Sequence, residues 1–296
     1  MELANSKVSR RNVLKTLGGL GVVAALPGCA RMASAISTSS GEVGLDGVTD
    51  QDIFNFALNL ESLETEYYLR GTTGTGMSDA DAGPNPGRVL GGGHMVPWQN
   101  QDLREFIEEV AQNELAHVRF YRRVLGSTAV SRPTIDLMAF TAAAKAAGLG
   151  DNFDPFASEM NFYLGGMLME DVGVTAYHGA APLLASKSNL DAAAGILGTE
   201  AYHMGMVRST LYRMGTTARN AANAISDARD RLDGPTDDDQ GIVLNGRANI
   251  EPTDADAKVY ARTPQQVLRI VYLNPASGVS GGGLFPNGMN GKLRTT

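Results

Sequence analysis

The sequence predicts an all-α protein: a four-helix bundle with a long crossover loop and a C-terminal extension that is partly helical and partly irregular. Three observations lead to this fold class. Four segments of roughly 20 residues or more carry apolar side chains at helical spacing, a Gly- and Pro-rich connection separates the first two, and no segment alternates convincingly between apolar and polar residues. A chain of 296 residues with 43% apolar content is long enough to bury such a core.

Residues 1–35 are predicted to be a twin-arginine export signal. Arg10 and Arg11 precede a short apolar run at residues 16–26, and a run of small residues ends at Ala35, an order that favours export over an ordinary amphipathic helix. Cys29 follows a lipobox-like Leu-Pro-Gly, so a lipid anchor on Cys29 is the alternative to cleavage near Ala35. We therefore expect a periplasmic or extracellular protein whose membrane contact is limited to that anchor.

A Ser- and Gly-rich linker at residues 36–48 leads into the bundle, which is assigned to residues 49–215. The first helix is predicted over residues 50–69, with Thr49 or Asp50 as its N-cap. Residues 70–98 read as the crossover loop. The second helix, residues 99–125, opens with acidic and closes with basic side chains, as the helix dipole prefers.

The remaining elements follow from capping and breaking residues. A short connecting helix is predicted at residues 134–147, and Asp154-Pro155 is expected to start a third long helix that runs to about residue 184. Ser188 or Asn189 is expected to cap a fourth helix that ends at Gly215. The extension, residues 216–296, is predicted to hold a surface helix at 218–232, a polar loop at 235–256, a short helix at 263–273 and an irregular tail.

Charge and cysteine content exclude several classes of function. The net charge is −7, the isoelectric point is near 5.2, and no stripe of Lys and Arg could neutralise phosphates, so we expect no nucleic-acid partner. The single cysteine, Cys29, lies in the leader, which leaves no thiolate ligand for a metal in the rest of the chain. Any metal must therefore bind to oxygen and nitrogen, as iron and manganese do.

Six side chains on the four long helices form the candidate site. The second and fourth helices each contain Glu-x-x-His, which places a carboxylate and an imidazole on one face, one turn apart. The first and third helices each offer one glutamate in an apolar setting. The predicted metal ligands are Glu61, Glu114, His117, Glu170, Glu200 and His203.

Electrostatics explains why such a cluster would bind metal. Four carboxylates cannot stay ionised together in an apolar core, because desolvation and mutual repulsion raise their pKa values. Two divalent ions with four glutamates and two neutral histidines leave the site close to neutral. The alternative is that the Glu-x-x-His pairs are ordinary surface pairs on amphipathic helices.

Other residues are weaker candidates. Tyr68 and Tyr177 each follow a candidate glutamate by seven residues, which puts them on its face. Glu64 could be a ligand, but it is expected to be an acid beside the ligands or at the rim of the site. His178 is expected to be a helix-surface or packing residue. His94 is expected to be a plain loop residue, with a place at an entrance to the site as the alternative. The methionines of the third and fourth helices are expected in the core.

These motifs resemble those of the ferritin-like di-iron carboxylate superfamily. Within it, the stretches at residues 56–64, 170–184 and 262–268 are most similar to the desiccation-related, stress-associated proteins, and the resemblance covers roughly residues 48–290. It implies a ferritin-like bundle in which Glu114 and Glu200 bridge two metal ions, iron or manganese. Glu61 and Glu170 would then be terminal ligands, with one histidine for each ion.

The resemblance also implies roles for outer residues and a class of function. Tyr68 and Tyr177 would donate hydrogen bonds to the ligand carboxylates. We expect a non-haem di-metal oxidoreductase that oxidises ferrous ion or removes peroxide under stress, with dioxygen or peroxide as the oxidant. A non-catalytic, desiccation-protective binding protein is the alternative. The long loop at 70–98 and the extension argue against a ferritin-type storage shell, and a smaller homo-oligomer stays open.

Overall fold

The computed structural model describes residues 47–296. The predicted export signal, Cys29 and nearly all of the linker lie outside these residues and stay predictions. The described part has eight α-helices and four two-residue strands, in this order: α1 Asp50–Thr73, α2 Asp79–Ala82, β1 Val89–Leu90, α3 Gln101–Leu125, β2 Ile135–Asp136, α4 Ala139–Ala146, α5 Glu159–Ala180, α6 Lys187–Arg213, α7 Thr216–Asp233, β3 Val243–Leu244, β4 Arg247–Ala248 and α8 Pro264–Val271.

The four long helices α1, α3, α5 and α6 form the bundle, so the predicted all-α class is confirmed. α1 packs along α3 and α5 packs along α6, whereas α3 and α6 approach each other at few positions. α1 and α5 are buried over most of their length. They need apolar residues on nearly every side because the C-terminal tail covers their outer face, as the reciprocal hydrogen bonds between Asn59 and Asn290 illustrate.

Two predicted helix starts are wrong. α5 begins at Glu159 rather than at Asp154, because Ser158 accepts the N–H of Asn161 while Asp154 accepts the N–H of Phe156 in a separate turn. α6 is capped by Ser186, not by Ser188 or Asn189. The N-cap of α1 is Thr49, which forms the reciprocal capping-box bonds with the residue three positions later.

The two connections that flank α3 pair with each other. β1, from the crossover loop, and β2, which follows α3, form a parallel two-stranded pair. The crossover loop is also fixed to α1, since the indole N–H of Trp98 donates to the carbonyl of Gly71. No described helix combines the length and the apolar character needed to span a bilayer.

A buried ionic cluster attaches the extension to the bundle. Asp171 on α5 accepts hydrogen bonds from Arg208 on α6 at 2.7 Å and from Arg229 on α7 at 2.6 Å. Arg262, just before α8, donates to Asp233 at 2.7 Å. These side chains are almost completely buried, so each charge depends on its partner. The extension is therefore integral to the packing of α5 and α6.

Candidate metal centre

The six predicted ligands lie together in the middle of the bundle. They form two overlapping groups of four, Glu61, Glu114, His117 and Glu200 in the first and Glu114, Glu170, Glu200 and His203 in the second. Within each group one ligand atom of every residue lies within 4.8 Å of the others. Glu114 and Glu200 belong to both groups, as two bridging carboxylates would.

The helices aim both imidazoles at the shared carboxylates. In α3 the three-residue spacing puts Nδ1 of His117 at 3.3 Å from Glu114, and the same nitrogen lies 3.1 Å from Glu61 on α1. On α6, Nδ1 of His203 lies 2.8 Å from Glu114 across the bundle. Each histidine therefore offers Nδ1 to the centre.

Three carboxylate oxygens of the centre are buried without a hydrogen-bond partner. They are one oxygen of Glu170 and both oxygens of Glu200. A buried polar atom without a partner costs about 1–3 kcal/mol, so three of them in one place would be strongly destabilising. Lone pairs of carboxylate oxygen and imidazole nitrogen are the donors that iron, manganese and zinc accept. The residues fit a pair of such cations.

The pKa values show how protons replace the cations in metal-free protein. Burial raises the pKa of Glu200 well above its usual value and that of Glu61 to about 7. Burial opposes charge on His117, but Glu61 and Glu114 overcome it and raise the pKa of that imidazole to about 11. Burial likewise opposes charge on His203, whose pKa the carboxylates of Glu170 and Glu114 raise to about 10.

Glu114 is the exception among the carboxylates. Burial would raise its pKa, but hydrogen bonds from His117 and His203 outweigh that effect and hold the pKa well below its usual range. Metal-free protein thus keeps Glu114 ionised between two protonated imidazoles. Each carboxylate oxygen of Glu114 therefore lies beside one imidazole. Glu114 is also one of the two residues that both groups of four share.

Tyrosines support the two outer carboxylates from across the bundle. The hydroxyl of Tyr68 on α1 donates to Glu170 on α5 at 2.5 Å, and Tyr177 on α5 donates to Glu61 on α1. A third tyrosine, Tyr121, is 2.8 Å from the hydroxyl of Tyr177. Tyr121 is not among the residues predicted from the sequence, although it follows Glu114 by the same seven residues that separate the other two pairs.

Glu64 lies beside the centre but outside both groups of four. Burial, together with the charges of Glu114 and Glu170, raises its pKa well above the usual value, so this carboxyl keeps its proton. It lines a small apolar cavity that includes Gly173. A Cβ at Gly173 would lie 2.4 Å from an oxygen of Glu200, so glycine is needed there for that carboxylate to fit.

The remaining histidines do not join the centre. Nδ1 of His178 lies 3.1 Å from the carbonyl oxygen of Tyr260 in the extension. His94, in the crossover loop, packs against the ring of Phe156. Of the methionines, Met167 is completely buried in the core.

A cavity of about 180 Å³ reaches the centre from the surface between α3 and α6. Its walls include Phe106, Val110 and Met206, and its inner end is formed by Asn113 and His203. The amide of Asn113 lies 3.2 Å from Nε2 of His203. No motif or spacing in the sequence predicts a role for Asn113. The volume is that of several water molecules, so a small molecule can approach the His203 side.

Comparison with known proteins gives one family and two named relatives. The profile of the ferritin-like domain family matches residues 49–213. A ferritin-like catalase, Nec2, from Nesocodon mauritianus is 30% identical over 270 residues, which cover 82% of this chain and 84% of that protein. The desiccation-related protein PCC13-62 from Craterostigma plantagineum is 28% identical over 74% of this chain and 76% of its own length. No solved structure matches.

Proposed function

This chain belongs to the ferritin-like domain family, and we propose that its buried centre binds two metal ions, iron or manganese, and removes peroxide. The observation that carries this proposal is the pair of four-residue groups that share Glu114 and Glu200. Buried carboxylate oxygens without hydrogen-bond partners are the kind of ligand that such cations accept. When bound, two redox-active ions would supply the electrons and the open coordination positions that peroxide disproportionation requires.

The protein's own residues would position and shield this chemistry. Glu114 and Glu200 would hold the ions together, while Tyr68 and Tyr177 fix the outer carboxylates by hydrogen bonds. Burial of the cluster excludes bulk water and keeps the proton on Glu64. The cavity lined by His203 is large enough for peroxide.

Two features favour peroxide over ferrous ion as the substrate. The relative that matches over 82% of this chain is named a catalase. The walls of the cavity carry Phe106, Val110 and Met206, and Glu109 is its one acidic residue at the rim, which suits a neutral molecule better than a divalent cation. Ferrous oxidation remains the nearest alternative reaction.

A non-catalytic role in desiccation protection is the second candidate, and the match to the desiccation-related protein supports it. It requires the same bundle and allows the same metal content. The two candidates differ only in turnover.

We also propose export by the twin-arginine route to the periplasm or the exterior, on the strength of Arg10, Arg11 and the apolar run that follows. Because this route carries folded proteins, the metal would be inserted before transport. Fractionation of cells that express the full chain, and of cells that express an Arg10→Lys, Arg11→Lys variant, tests this. Retention of the variant and export of the parent are expected, whereas export of both contradicts the proposal.

The experiment for the main proposal uses protein reconstituted with Mn²⁺ or Fe²⁺. We expect oxygen evolution from hydrogen peroxide, and we expect Glu200→Gln to abolish it. His178→Ala is the control, because His178 lies on α5, the helix that carries the ligand Glu170, but its ring contacts Tyr260 of the extension. Two bound ions without oxygen evolution would support the protective role, and ferrous oxidation without peroxide removal would support the alternative reaction.

A further inference from the structure

The two histidines of the centre are held differently on their outer side. Nε2 of His203 lies 3.2 Å from Nδ2 of the Asn113 side-chain amide. Within residues 47–296, Nε2 of His117 has no hydrogen-bond partner, and His117 is 9% exposed against 4% for His203. α3 and α6 therefore repeat the Glu-x-x-His pattern, but they do not repeat the contacts of the two imidazoles at Nε2.

The chain shows why the repeat is broken at this point. Asn113 directly precedes Glu114 on α3 and reaches His203 on α6. The equivalent residue on α6 is Thr199, which directly precedes Glu200 and would have to reach His117. Its hydroxyl instead contacts the carbonyl of Gly195 in its own helix, at 3.5 Å. A threonine side chain is also shorter than asparagine by one heavy atom along its reach.

The outer carboxylates differ in the same direction. Tyr177 donates its only hydroxyl proton to Glu61, so Tyr121 must be the donor in the bond between the two tyrosines. This second bond polarises Tyr177 and draws more electron density from Glu61. Glu170 has a single tyrosine, Tyr68, and the residue of α6 that corresponds to Tyr121 is Val207. Glu61 is therefore the poorer donor to a cation.

We propose that the two metal positions are unequal: the position at His203 binds its ion more tightly than the position at His117, and Asn113 is the positioning residue that creates the difference. This inference rests on the proposed two-metal centre and adds to it an order of filling. An ion bound to Nδ1 leaves the single imidazole proton on Nε2. That N–H then needs a hydrogen-bond acceptor, which fixes the orientation of the ring. The amide of Asn113 accepts that proton when its Oδ1 is turned to the ring, a rotation that leaves the shape of the side chain unchanged.

The expected size of the effect comes from outer hydrogen bonds of this kind. Removal of such a partner weakens metal affinity by roughly 10- to 100-fold. The His203 position should therefore fill first and the His117 position second, separated by about that factor. The ion at His117, with a more exposed imidazole and a poorer carboxylate, should exchange faster.

The test is a titration of metal-free full-length protein with Co²⁺ alone. Calorimetry and the visible absorption of the bound ion monitor each binding step. The parent protein should bind one Co²⁺ tightly and a second more weakly. His203→Gln should remove the tight step and His117→Gln the weak step. These two variants assign each step to its position.

Asn113→Leu should weaken the tight step by roughly 10- to 100-fold, and Asn113→Asp, which keeps an acceptor oxygen, should restore it. Thr199→Asn should tighten the weak step. The melting temperature of each metal-free variant separates a positioning effect from a folding defect. A leucine at position 113 has room for its side chain, because Asn113 lines the cavity between α3 and α6.

The outcomes separate this inference from the function on which it rests. Two equal steps, or a tight step that Asn113→Leu leaves unchanged, overturn the inequality while the two-metal centre stands. Absence of any bound Co²⁺ overturns both. Two unequal steps that respond to Asn113 in protein without peroxide turnover support the inference and refute only the proposed activity.

Discussion

Metal-free protein should lose stability as the pH rises above neutral, and saturating metal should greatly reduce that loss. His117 and His203 have pKa values raised to about 11 and about 10, because the surrounding carboxylates outweigh their burial. In the unfolded chain both imidazoles titrate near 6.5. The folded, metal-free state therefore binds more protons, so this contribution is fully present below about pH 6.5 and is lost as the pH rises toward 10 and 11.

The slope follows from the number of retained protons. Above about pH 7.5 the unfolded histidines are mostly neutral while the folded ones keep two protons. Each retained proton lowers the free energy of unfolding by a little over ~1 kcal/mol per pH unit, so two lower it by roughly 3 kcal/mol per pH unit. Glu64 and Glu200, whose pKa values burial raises, act in the same direction. The lowered pKa of Glu114 acts in the opposite direction, but only below its usual range.

The assay is urea unfolding at pH 7.5, 8.0 and 8.5, monitored by circular dichroism, for metal-free and Mn²⁺-saturated protein. Bound cations would keep both imidazoles neutral, so the saturated protein should show a much shallower slope in this window, to which the protonated carboxyl of Glu64 still contributes. A metal-free His117→Gln, His203→Gln double variant should likewise show a shallower slope than the metal-free parent. Metal-free stability that is constant or rises with pH would refute the proposed proton-for-metal exchange.

Three further predictions concern the ligands, the buried ionic cluster and the helix interfaces. Glu200→Ala should lose its metal, whereas His178→Ala, whose imidazole faces the extension, should retain it. Arg262→Met should cost about 3–5 kcal/mol, because it leaves the buried Asp233 without its ion-pair partner and removes one of the two arginines that bind Asp239. Gly179→Ala should destabilise, since its Cβ would lie 1.9 Å from the carbonyl oxygen of Arg262, whereas Gly198→Ala, with nothing within 4 Å, should stabilise by about 0.5–1 kcal/mol.

Elemental analysis and urea unfolding check these three. Metal retained by Glu200→Ala but lost from His178→Ala would invert the ligand assignment. A loss under about 1 kcal/mol in Arg262→Met would mean that the ionic cluster behaves like an exposed pair. Equal effects of the two glycine substitutions would contradict the close packing of α5 against the extension.

The bundle and its central residues could be predicted because both depend on regular helical spacing. Apolar periodicity placed the four long helices, and Glu-x-x-His fixed a carboxylate and an imidazole on one face of α3 and of α6. The structure brings these residues to one buried point, although their binding of metal stays a prediction. The contacts of Tyr68 and Tyr177 also follow from spacing, since seven residues return to the same face.

The rest depends on contacts between segments that are distant in sequence. Asn113 contacts His203 because of the distance between α3 and α6, which no spacing along the chain predicts. Asp171 and Arg229 pair because α7 packs on α5, which the sequence pattern does not predict either. The starts of α5 and α6 were misplaced because several capping residues lie close together, and local turns at Asp154 and Ser186 decide among them.

Anomalous diffraction from crystals grown with Mn²⁺ tests the two-metal centre most directly. Two anomalous peaks, roughly 3.5–4 Å apart, should lie between Glu114 and Glu200, with one imidazole nitrogen beside each. Strong anomalous signal elsewhere, with none among these carboxylates at saturating Mn²⁺, would contradict the account.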